Sequence, residues 1–409
     1  MSRKLPVIIA GTNCLSGVTS WADQLRSAMA DHPRYDVQTL YVGPEAAPNA
    51  DISVRTLQDA HQTVCEMAPA VVVPNYVWSL YLAGFEPGVR CVGMCHADSD
   101  DQYYRPLSWY EPVISKYIAV SRECDERLKQ YVTCRAEDVV MLPYGVNIPS
   151  VLDRNYQTKP LRLIYAGRVT QPQKRVWDFI PLVEQLLRAK VPFVFDIVGG
   201  GDEFAPLQQV MRTRIPAADV FFHPRIPHAE MADKWLNHDV FIQTSDFEGT
   251  SVSMLEAMAH GVAPVVTAAS SGIAGVVNDG DNGFVVPVGD MAAMGSAIAQ
   301  LATDPAMLAD VGRAAHRTAQ AYSMDAYVRK FAQILDQIAE MDGNADHRKR
   351  YGIFSPPHPL LVQQQRIEQQ RIELNGRNQR ALKRLFKRGL KGLRRSKPQP
   401  NPRDDQRAA

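Results

Sequence analysis

The stretch DVFIQTSDFEGTSVSMLEAMAHGVAPVVT, residues 239–267, contains a strand, a helix and a second strand in close succession. The apolar run DVFIQTS predicts a buried strand, VSMLEAMAHG predicts a helix that ends at a glycine, and APVVTA predicts the next strand. Strands that alternate with helices in this way form a parallel sheet wrapped by those helices. The stretch therefore predicts a doubly wound α/β sheet.

The same alternation runs through most of the chain and divides it into two units. The 409 residues are enough for two domains, each with its own core. We predict an amino-terminal α/β domain (1–150), a polar, proline-bounded linker (151–160), a second α/β domain (161–323), an amphipathic helix that packs back toward the first domain (324–342) and a basic tail (343–409).

Composition and charge are those of a soluble globular protein with an appended basic segment. The chain is 45% hydrophobic and 22% charged. The apolar run LPVIIA near its start is too short for a signal-peptide core or a membrane span, so we expect a cytoplasmic protein. The net charge of +1 combines about −11 for residues 1–345 with +12 for residues 346–409. This asymmetry predicts a tail that binds a surface.

The cysteines raise the question of a metal site. All six fall in the first 134 residues, and without an export signal we expect reduced thiols in the core. Cys91, Cys95 and His96 offer zinc-ligand chemistry. Their spacing is not that of a zinc finger, however, and no second Cys/His pair follows nearby. We therefore predict no metal site.

Two cations follow a strand in the second domain. Gly167 and Arg168 come directly after the strand LRLIYA, and Lys174 precedes a helix. Ligands of doubly wound sheets bind outside the carboxyl ends of the strands. The two cations could hold a diphosphate between them, although the same pattern is also typical of ordinary solvated charges.

Gly249, Thr250 and Ser251 lead into the helix of the opening stretch. Free N–H groups at a helix N-terminus attract anions, and small side chains leave room for a phosphate. Glu248 would then face whatever is attached to the phosphate, and Glu256 could accept hydrogen bonds from a ribose diol. The alternative makes Glu248 a partner of the helix dipole and Glu256 a surface residue. The apolar neighbours of Glu256 favour the first interpretation.

Together these motifs resemble the group 1 glycosyltransferase family. The resemblance rests on GR–QKR, VGGGDE, the E-x7-E spacing of Glu248 and Glu256, and the G-x4-V-x-D-G-x-N-G run from Gly272 to Gly283. It covers most of residues 160–290 and is looser in the amino-terminal half. It implies an α/β fold of GT-B architecture, in which two doubly wound, Rossmann-like domains face a cleft. It also implies a retaining, nucleotide-sugar-dependent enzyme without a protein nucleophile.

The resemblance implies a role for each matching residue. Arg168 and Lys174 would hold the diphosphate, and no cofactor or metal would be needed because these cations neutralise it. Glu256 would bind the ribose, and Glu248 the hydroxyls of the donor sugar. Further donor contacts would come from the N–H groups near Ser251 and Val252 and, across the cleft, from Gly17 and His96. A histidine beside two cysteines at a strand end is also typical of a packed core.

The tail carries a basic amphipathic pattern. Leu382, Leu385, Phe386, Leu390 and Leu393 fall on one stripe of a helix, and ten Lys or Arg and no acid lie in residues 377–397. This pattern is typical of a helix on an anionic membrane surface; RNA binding and a solvated, partly disordered tail remain alternatives. The residues predicted to contact the membrane are Lys383, Arg384, Lys387, Arg388, Lys391, Arg394 and Arg395.

The leading hypothesis is transfer of a sugar from a nucleoside-diphosphate sugar to a glycan or lipid-linked acceptor, in cell-envelope polysaccharide or glycoconjugate synthesis. The enzyme would be cytoplasmic or peripheral on the inner face of the plasma membrane, with no specific nucleic-acid partner. A non-catalytic scaffold that binds a sugar nucleotide or glycan, or a sugar-nucleotide epimerase, is the alternative. Tyr103, Tyr104, Trp109 and Tyr110 could stack on an acceptor sugar or pack onto the core.

Overall fold

The computed structural model of the chain describes residues 3–12, 17–44, 50–156, 159–171 and 173–341. Within these ranges the chain forms two parallel β-sheets, each covered by helices. Among the described helices, none is long and apolar enough to cross a bilayer. The predicted membrane-contact residues lie outside the described part of the chain: Lys383, Arg384, Lys387, Arg388, Lys391, Arg394 and Arg395.

The amino-terminal sheet has seven parallel strands in the order β3-β2-β1-β4-β5-β6-β7. The strands are β1 (Leu5–Thr12), β2 (Tyr35–Val42), β3 (Ile52–Val54), β4 (Ala70–Pro74), β5 (Val89–Cys95), β6 (Ile114–Ala119) and β7 (Val139–Met141). The α-helices are α1 (Gly17–Ala28), α2 (Leu57–Glu66), α3 (Arg105–Trp109) and α4 (Arg122–Tyr131). The strand order reverses between β1 and β4, where sheets of this kind open a ligand crevice.

The carboxyl-terminal sheet has six parallel strands in the order β10-β9-β8-β11-β12-β13. The strands are β8 (Leu161–Arg168), β9 (Phe193–Gly200), β10 (Val220–His223), β11 (Val240–Gln243), β12 (Ala263–Thr267) and β13 (Phe284–Val286). The helices are α5 (Phe179–Arg188), α6 (Phe204–Arg214), α7 (His228–Leu236), α8 (Val252–Ala259), α9 (Ser271–Ala274), α10 (Met291–Thr303), α11 (Pro305–Ala319) and α12 (Met324–Glu340). Here the order reverses between β8 and β11.

Local sequence explains where these elements lie. Every residue of β4 and of β12 is buried, because helices cover both faces of a parallel sheet and its central strands are therefore continuously apolar. Ser121 caps α4 by accepting a hydrogen bond from the amide of Cys124, as its place before the helix predicts. Ser251 caps α8 in the same way, through the amide of Met254.

Helix α8, the helix of the opening stretch, is buried on nearly every side because it lies between the two domains. Residues 254–259 are all buried, and all of them except Glu256 belong to the same hydrophobic cluster as the core of the amino-terminal domain. A second cluster fills the remaining core of the carboxyl-terminal domain. After α8 the chain turns at Gly261, whose φ of +70° is a left-handed conformation that ends helices and suits glycine.

Helix α12 follows the carboxyl-terminal domain in sequence and packs on the amino-terminal one. The amide of Met324 donates to the carbonyl of Val146 (2.8 Å) at the start of the helix. Tyr327 then lies edge-on to Trp21 of α1, with ring centroids 6.3 Å apart. A Cβ at Gly145 would lie 2.5 Å from the Cβ of Tyr327, so this contact requires glycine. The helix therefore joins the two domains a second time.

Candidate active site

A cavity of about 350 Å³ lies between the two domains, at the carboxyl ends of the carboxyl-terminal strands. Gly17, at the start of α1, reaches it from the amino-terminal domain. Arg168 reaches it from the end of β8, and Val252 and Glu256 reach it from α8. The position agrees with the rule that doubly wound sheets bind ligands beyond the carboxyl ends of their strands. Four residues singled out from the sequence therefore share one cavity.

The glycines of the VGGG turn let the backbone form part of the cavity wall. Gly199 has a φ of +150°, and a Cβ there would collide with the carbonyl of Gly167 in the neighbouring strand. Gly200 lines the cavity, and a Cβ there would meet nothing within 4 Å. The turn thus keeps two strand ends close together and leaves space for a ligand beside them.

The two predicted phosphate cations differ in their surroundings. Arg168 is exposed, and its Nη2 donates to Oε1 of Gln173 at 2.5 Å. Lys174 is largely buried, and its Nζ lies 2.5 Å from Oε1 of Glu248. The hydroxyl of Ser245 donates to the same carboxylate oxygen at 2.6 Å. The structure therefore joins Lys174 and Glu248 in one buried ion pair, whereas the sequence predicted separate contacts to phosphate and sugar.

The N-terminus of α8 points its first turn at the cavity. Ser251 caps the helix, and its hydroxyl donates to Oε1 of Gln243 at 2.6 Å. Val252 and Ser253, the next two residues, line the cavity. Amides in the first turn of a helix have no carbonyl partner within the helix and favour an anion. The cavity therefore has backbone donors on the side of α8.

Gly249 and Thr250 take part in the contact between the two domains. Both were predicted to leave room for a phosphate, but the structure places them against the amino-terminal domain. A Cβ at Gly249 would collide with the carbonyl oxygen of His96. The hydroxyl of Thr250 donates to the carbonyl of Val120 at 2.6 Å. These small residues allow the two domains to meet closely.

The imidazole of His96, predicted to face the donor sugar or to pack in the core, is buried in the amino-terminal domain. Its Nδ1 lies 2.5 Å from the hydroxyl of Tyr144, and its Nε2 lies 2.6 Å from Oδ1 of Asn75. Because the Asn75 oxygen only accepts, Nε2 carries the proton and Nδ1 accepts from Tyr144. Burial lowers the pKa of His96 to about 3, so the ring is neutral at pH 7. Both ring nitrogens are engaged within the amino-terminal domain, which favours the core alternative.

Glu256 is buried and shares hydrogen bonds with both domains. Its Oε1 accepts from Nε2 of Gln24 in α1 (3.2 Å) and from Nε2 of His228 at the start of α7 (2.8 Å). The hydrogen bond to the carboxylate raises the pKa of His228 above its ordinary value of 6.5. Sequence reasoning identified Glu256 but missed both partners. Gln24 carried a usable signal, because it is the buried polar residue on the otherwise apolar face of α1.

Aromatic side chains surround His96 on the amino-terminal side of the cleft. Tyr103, Tyr104 and Tyr110 are buried and pack in the core, whereas Trp109 is 39% exposed. Tyr76, which sequence reasoning did not single out, follows β4 at the point where the strand order reverses. It has a φ of +60°, is 38% exposed and stacks over His96 with ring centroids 6.3 Å apart. Its hydroxyl accepts from that of Tyr103 at 2.6 Å.

Four cysteines of the first domain, Cys65, Cys91, Cys95 and Cys124, are free thiols. Cys91 and Cys95 are buried and not joined in a disulfide. Within the described ranges, no group of three or more His, Cys, Asp or Glu side chains is arranged to hold a metal ion.

The family described as glycosyl transferases group 1 matches residues 153–318. The chain is 30% identical over 249 residues to the D-inositol 3-phosphate glycosyltransferase of Streptomyces avermitilis, covering 56% of this chain and 52% of that protein. It is 30% identical over 226 residues to the putative colanic acid biosynthesis glycosyltransferase WcaL of Salmonella typhimurium, covering 52% and 54%. The chain thus spans about half the length of these curated relatives.

Solved structures share the two-domain fold. HepE of Anabaena, in complex with UDP and glucose, superposes with a TM-score of 0.68 at 17% identity, covering 82% of this chain and 100% of that one. TarM of S. aureus superposes with a TM-score of 0.60 at 16% identity, covering 68% and 59%. At this identity the likeness concerns the fold, which confirms the predicted GT-B architecture.

The family match spans β8 to α11 almost completely and therefore includes most of the candidate site. Arg168, Lys174, Glu248 and Glu256 all lie inside it, in the spacing on which the sequence resemblance rests. Residues 153–318, which contain these four residues, therefore match the group 1 glycosyltransferase family.

Proposed function

We propose that the protein is a retaining glycosyltransferase that moves a sugar from a nucleoside-diphosphate sugar to a glycan or lipid-linked acceptor. The observation that carries the proposal is the convergence of Arg168, the first turn of α8 and Glu256 on one cavity between two domains. A cation, backbone amides and a buried carboxylate are the groups that a diphosphate and a ribose diol require. The buried Lys174–Glu248 pair supports the same assignment.

In the proposed donor complex, Arg168 and the amides of Val252 and Ser253 bind the diphosphate. Their charge and dipoles stabilise the negative charge that grows on the diphosphate as its bond to the sugar breaks. Groups held in place before the reaction need no reorganisation, which is why a capped helix N-terminus suits this task. Because these donors and Lys174 neutralise the diphosphate, we propose that no metal cofactor is required.

Glu248 binds hydroxyls of the donor sugar in this proposal. Lys174 and Ser245 fix its carboxylate, so it presents its acceptor oxygens in a defined position. The bond from the anomeric carbon to the diphosphate breaks, and a new bond forms to the acceptor oxygen on the same face. The acceptor proton passes to the departing diphosphate. Configuration is retained, and no protein nucleophile takes part.

The acceptor enters from the amino-terminal domain. Tyr76 offers a partly exposed ring at the reversal of strand order, beside His96 and hence beside the loop that contains Glu248. An aromatic face suits the apolar face of a sugar ring. The chain is 28% identical over 165 residues to the poly(glycerol-phosphate) alpha-glucosyltransferase of Bacillus subtilis, covering 40% of this chain and 23% of that protein. This similarity and the similarity to WcaL support a role in cell-envelope polysaccharide synthesis. We place the enzyme in the cytoplasm, with its basic tail on the inner membrane surface.

A thermal-shift panel of UDP, GDP, ADP and their sugar conjugates, without metal and then with Mg²⁺, tests the donor site. A ligand at about 100 times its dissociation constant adds about 2.7 kcal/mol to the free energy of unfolding. Selective stabilisation by one diphosphate without metal is the expected result. No shift with any nucleotide would favour the scaffold alternative, and conversion of the donor without acceptor would favour an epimerase.

A further inference from the structure

Glu256 lies where the two domains and two cavities meet. It lines the 350 Å³ cavity assigned above to the donor. A second cavity of about 720 Å³ adjoins it, lined by Asp23 and Gln24 of α1. His228 lines both cavities, so it stands at the junction between them. A ligand group beside Glu256 is therefore reachable from α1 as well as from α7.

The hydrogen bonds of Gln24 leave one of its atoms without a partner. A carboxylate accepts only, so the Gln24 amide must turn its Nε2 toward Oε1 of Glu256, at 3.2 Å. Its own Oε1 is then buried and has no hydrogen-bond partner among the residues that the structure describes. Only 7% of Gln24 is exposed. A buried acceptor without a partner costs free energy unless a ligand supplies a donor.

The partners of Glu256 crowd onto one oxygen. Gln24 and His228 both donate to Oε1, at 3.2 Å and 2.8 Å. Glu256 Oε1 thus has two donors, whereas Oε1 of Gln24 has none. At least one further hydroxyl group is needed to satisfy this cluster of hydrogen-bonding groups. Each hydroxyl both donates and accepts. Two adjacent hydroxyls would donate to Glu256 and to Oε1 of Gln24, and one of them would accept the second hydrogen of Gln24 Nε2, while His228 holds the carboxylate in place.

We propose that Gln24 and His228 complete the ribose site with Glu256, so that both domains hold the 2′,3′-diol of the donor nucleotide. The proposal rests on the function proposed above, which assigns the ribose to Glu256 alone. It adds a residue of the amino-terminal domain to donor recognition. Ribose binding is then linked to the approach of the two domains, because Gln24 reaches the diol only when α1 lies beside α8.

The test compares the affinities of ribose and deoxyribose nucleotides. UDP, GDP and ADP are titrated by calorimetry, and the one that binds is compared with its 2′-deoxy and 3′-deoxy counterparts. The variants are Gln24→Leu, which keeps the size but removes both polar atoms, and His228→Ala. Ser27→Ala is the matched control, since Ser27 lies on the same helix and lines the 720 Å³ cavity, and its hydroxyl donates to the carbonyl of Asp23.

We expect the unaltered protein to prefer the ribose form over at least one deoxy form by about tenfold, as one hydrogen bond to a buried polar site implies. Gln24→Leu should reduce that preference to about threefold or less, and Ser27→Ala should leave it unchanged. Should Gln24→Leu fail to fold, the same reduction is expected of His228→Ala. Because a purely structural role would weaken both ligands equally, the ratio isolates recognition of the diol.

The outcomes separate the two proposals. Unchanged ratios in Gln24→Leu or His228→Ala, with the diphosphate still bound, would overturn the ribose site but leave the proposed function standing. Binding of no nucleoside diphosphate by the unaltered, folded protein would overturn both.

Discussion

Removing one member of the Lys174–Glu248 pair should destabilise the protein more than removing both. The Nζ and Oε1 atoms lie 2.5 Å apart, and the two side chains are only 15% and 8% exposed. Lys174→Met leaves the charge of Glu248 buried with one remaining donor, Ser245. Glu248→Gln leaves the Lys174 ammonium buried without its counter-ion. The double variant removes both charges and keeps similar volumes.

The magnitude follows from the cost of a buried charge without a partner. Breaking a buried pair by removing one partner costs about 3–5 kcal/mol, and replacing the whole pair by residues of similar volume is often neutral. For Lys174→Met we expect a loss of about 3 kcal/mol in the free energy of unfolding, at the lower end of that range, because Ser245 still donates to Glu248 and the two side chains are slightly exposed. For a domain of this size, about 1 kcal/mol shifts Tm by about 2–4 °C, so Tm should fall by roughly 6–12 °C.

Urea unfolding of the unaltered protein, both single variants and the double variant gives the coupling free energy. We expect a coupling of about 2 kcal/mol or more. The control is Glu184→Gln, which removes the partner of Arg214 in a pair whose side chains are 27% and 60% exposed. Exposed pairs contribute about 0–1 kcal/mol. Additive single effects, with a coupling below about 0.5 kcal/mol, would contradict the view that the pair acts as one buried unit.

The same variants separate binding from transfer. Glu248→Gln keeps the Lys174 ammonium and removes a negative charge near the diphosphate, so nucleotide affinity should be unchanged or higher while transfer is abolished. Lys174→Met should weaken nucleotide binding as well. Full turnover by Glu248→Gln, measured with the donor that the thermal-shift panel identifies, would refute the role given to Glu248.

Three further predictions concern the acceptor, pH and the tail. Tyr76→Ala should raise KM for the acceptor about tenfold, because an aromatic contact is lost, and should leave donor affinity unchanged. Trp109→Ala, the control, should have little effect on the acceptor KM. An unaltered acceptor KM in Tyr76→Ala would exclude Tyr76 from the acceptor site. Because the pKa of His228 is raised in the folded state, its pairing with Glu256 stabilises the fold fully below pH 6.5 and less as pH rises through the folded-state pKa. His228→Asn should therefore flatten the pH dependence of Tm above pH 6.5. A Tm profile identical to that of the unaltered protein would argue against the pairing. Deletion of residues 377–409 should abolish binding to anionic vesicles without lowering Tm, and equal vesicle binding by the shortened chain would place the membrane contact elsewhere.

Much of the fold could be predicted from the sequence because parallel strands and their helices are encoded locally. The strand, helix and strand of residues 239–267 appear in the structure as β11, α8 and β12. The short strand β3 and helix α2 were not predicted. Strand β3 has three residues and no buried one, so it lacks the apolar run that identifies the other strands. For α2, the signal that was overlooked is the capping box of Thr56 and Asp59.

The residues of the candidate site could likewise be predicted from the sequence, but their contacts could not. Arg168, Lys174, Glu248 and Glu256 could be found because each stands at a recognisable place in a strand or helix, and ligands bind at strand ends. The hydrogen bonds that join them to their partners could not be found in this way. Gln24 meets Glu256 from a position 232 residues earlier in the chain, and nothing in the local pattern around either residue encodes that contact.

The sequence by itself therefore determined two doubly wound α/β domains, the resemblance of residues 160–290 to group 1 glycosyltransferases, and the charged residues at the strand ends. Only the tertiary structure decided which small residues serve the domain contact and which groups face the ligand. Gly249 and Thr250 have the local pattern of a phosphate loop, but they lie against His96 and Val120 because the amino-terminal domain packs on them. His96 has the pattern of a site residue, and the partners Asn75 and Tyr144 make it part of the core. The physical reason is that hydrogen bonds and steric contacts act over a few ångströms in space, whereas sequence patterns report only neighbours along the chain.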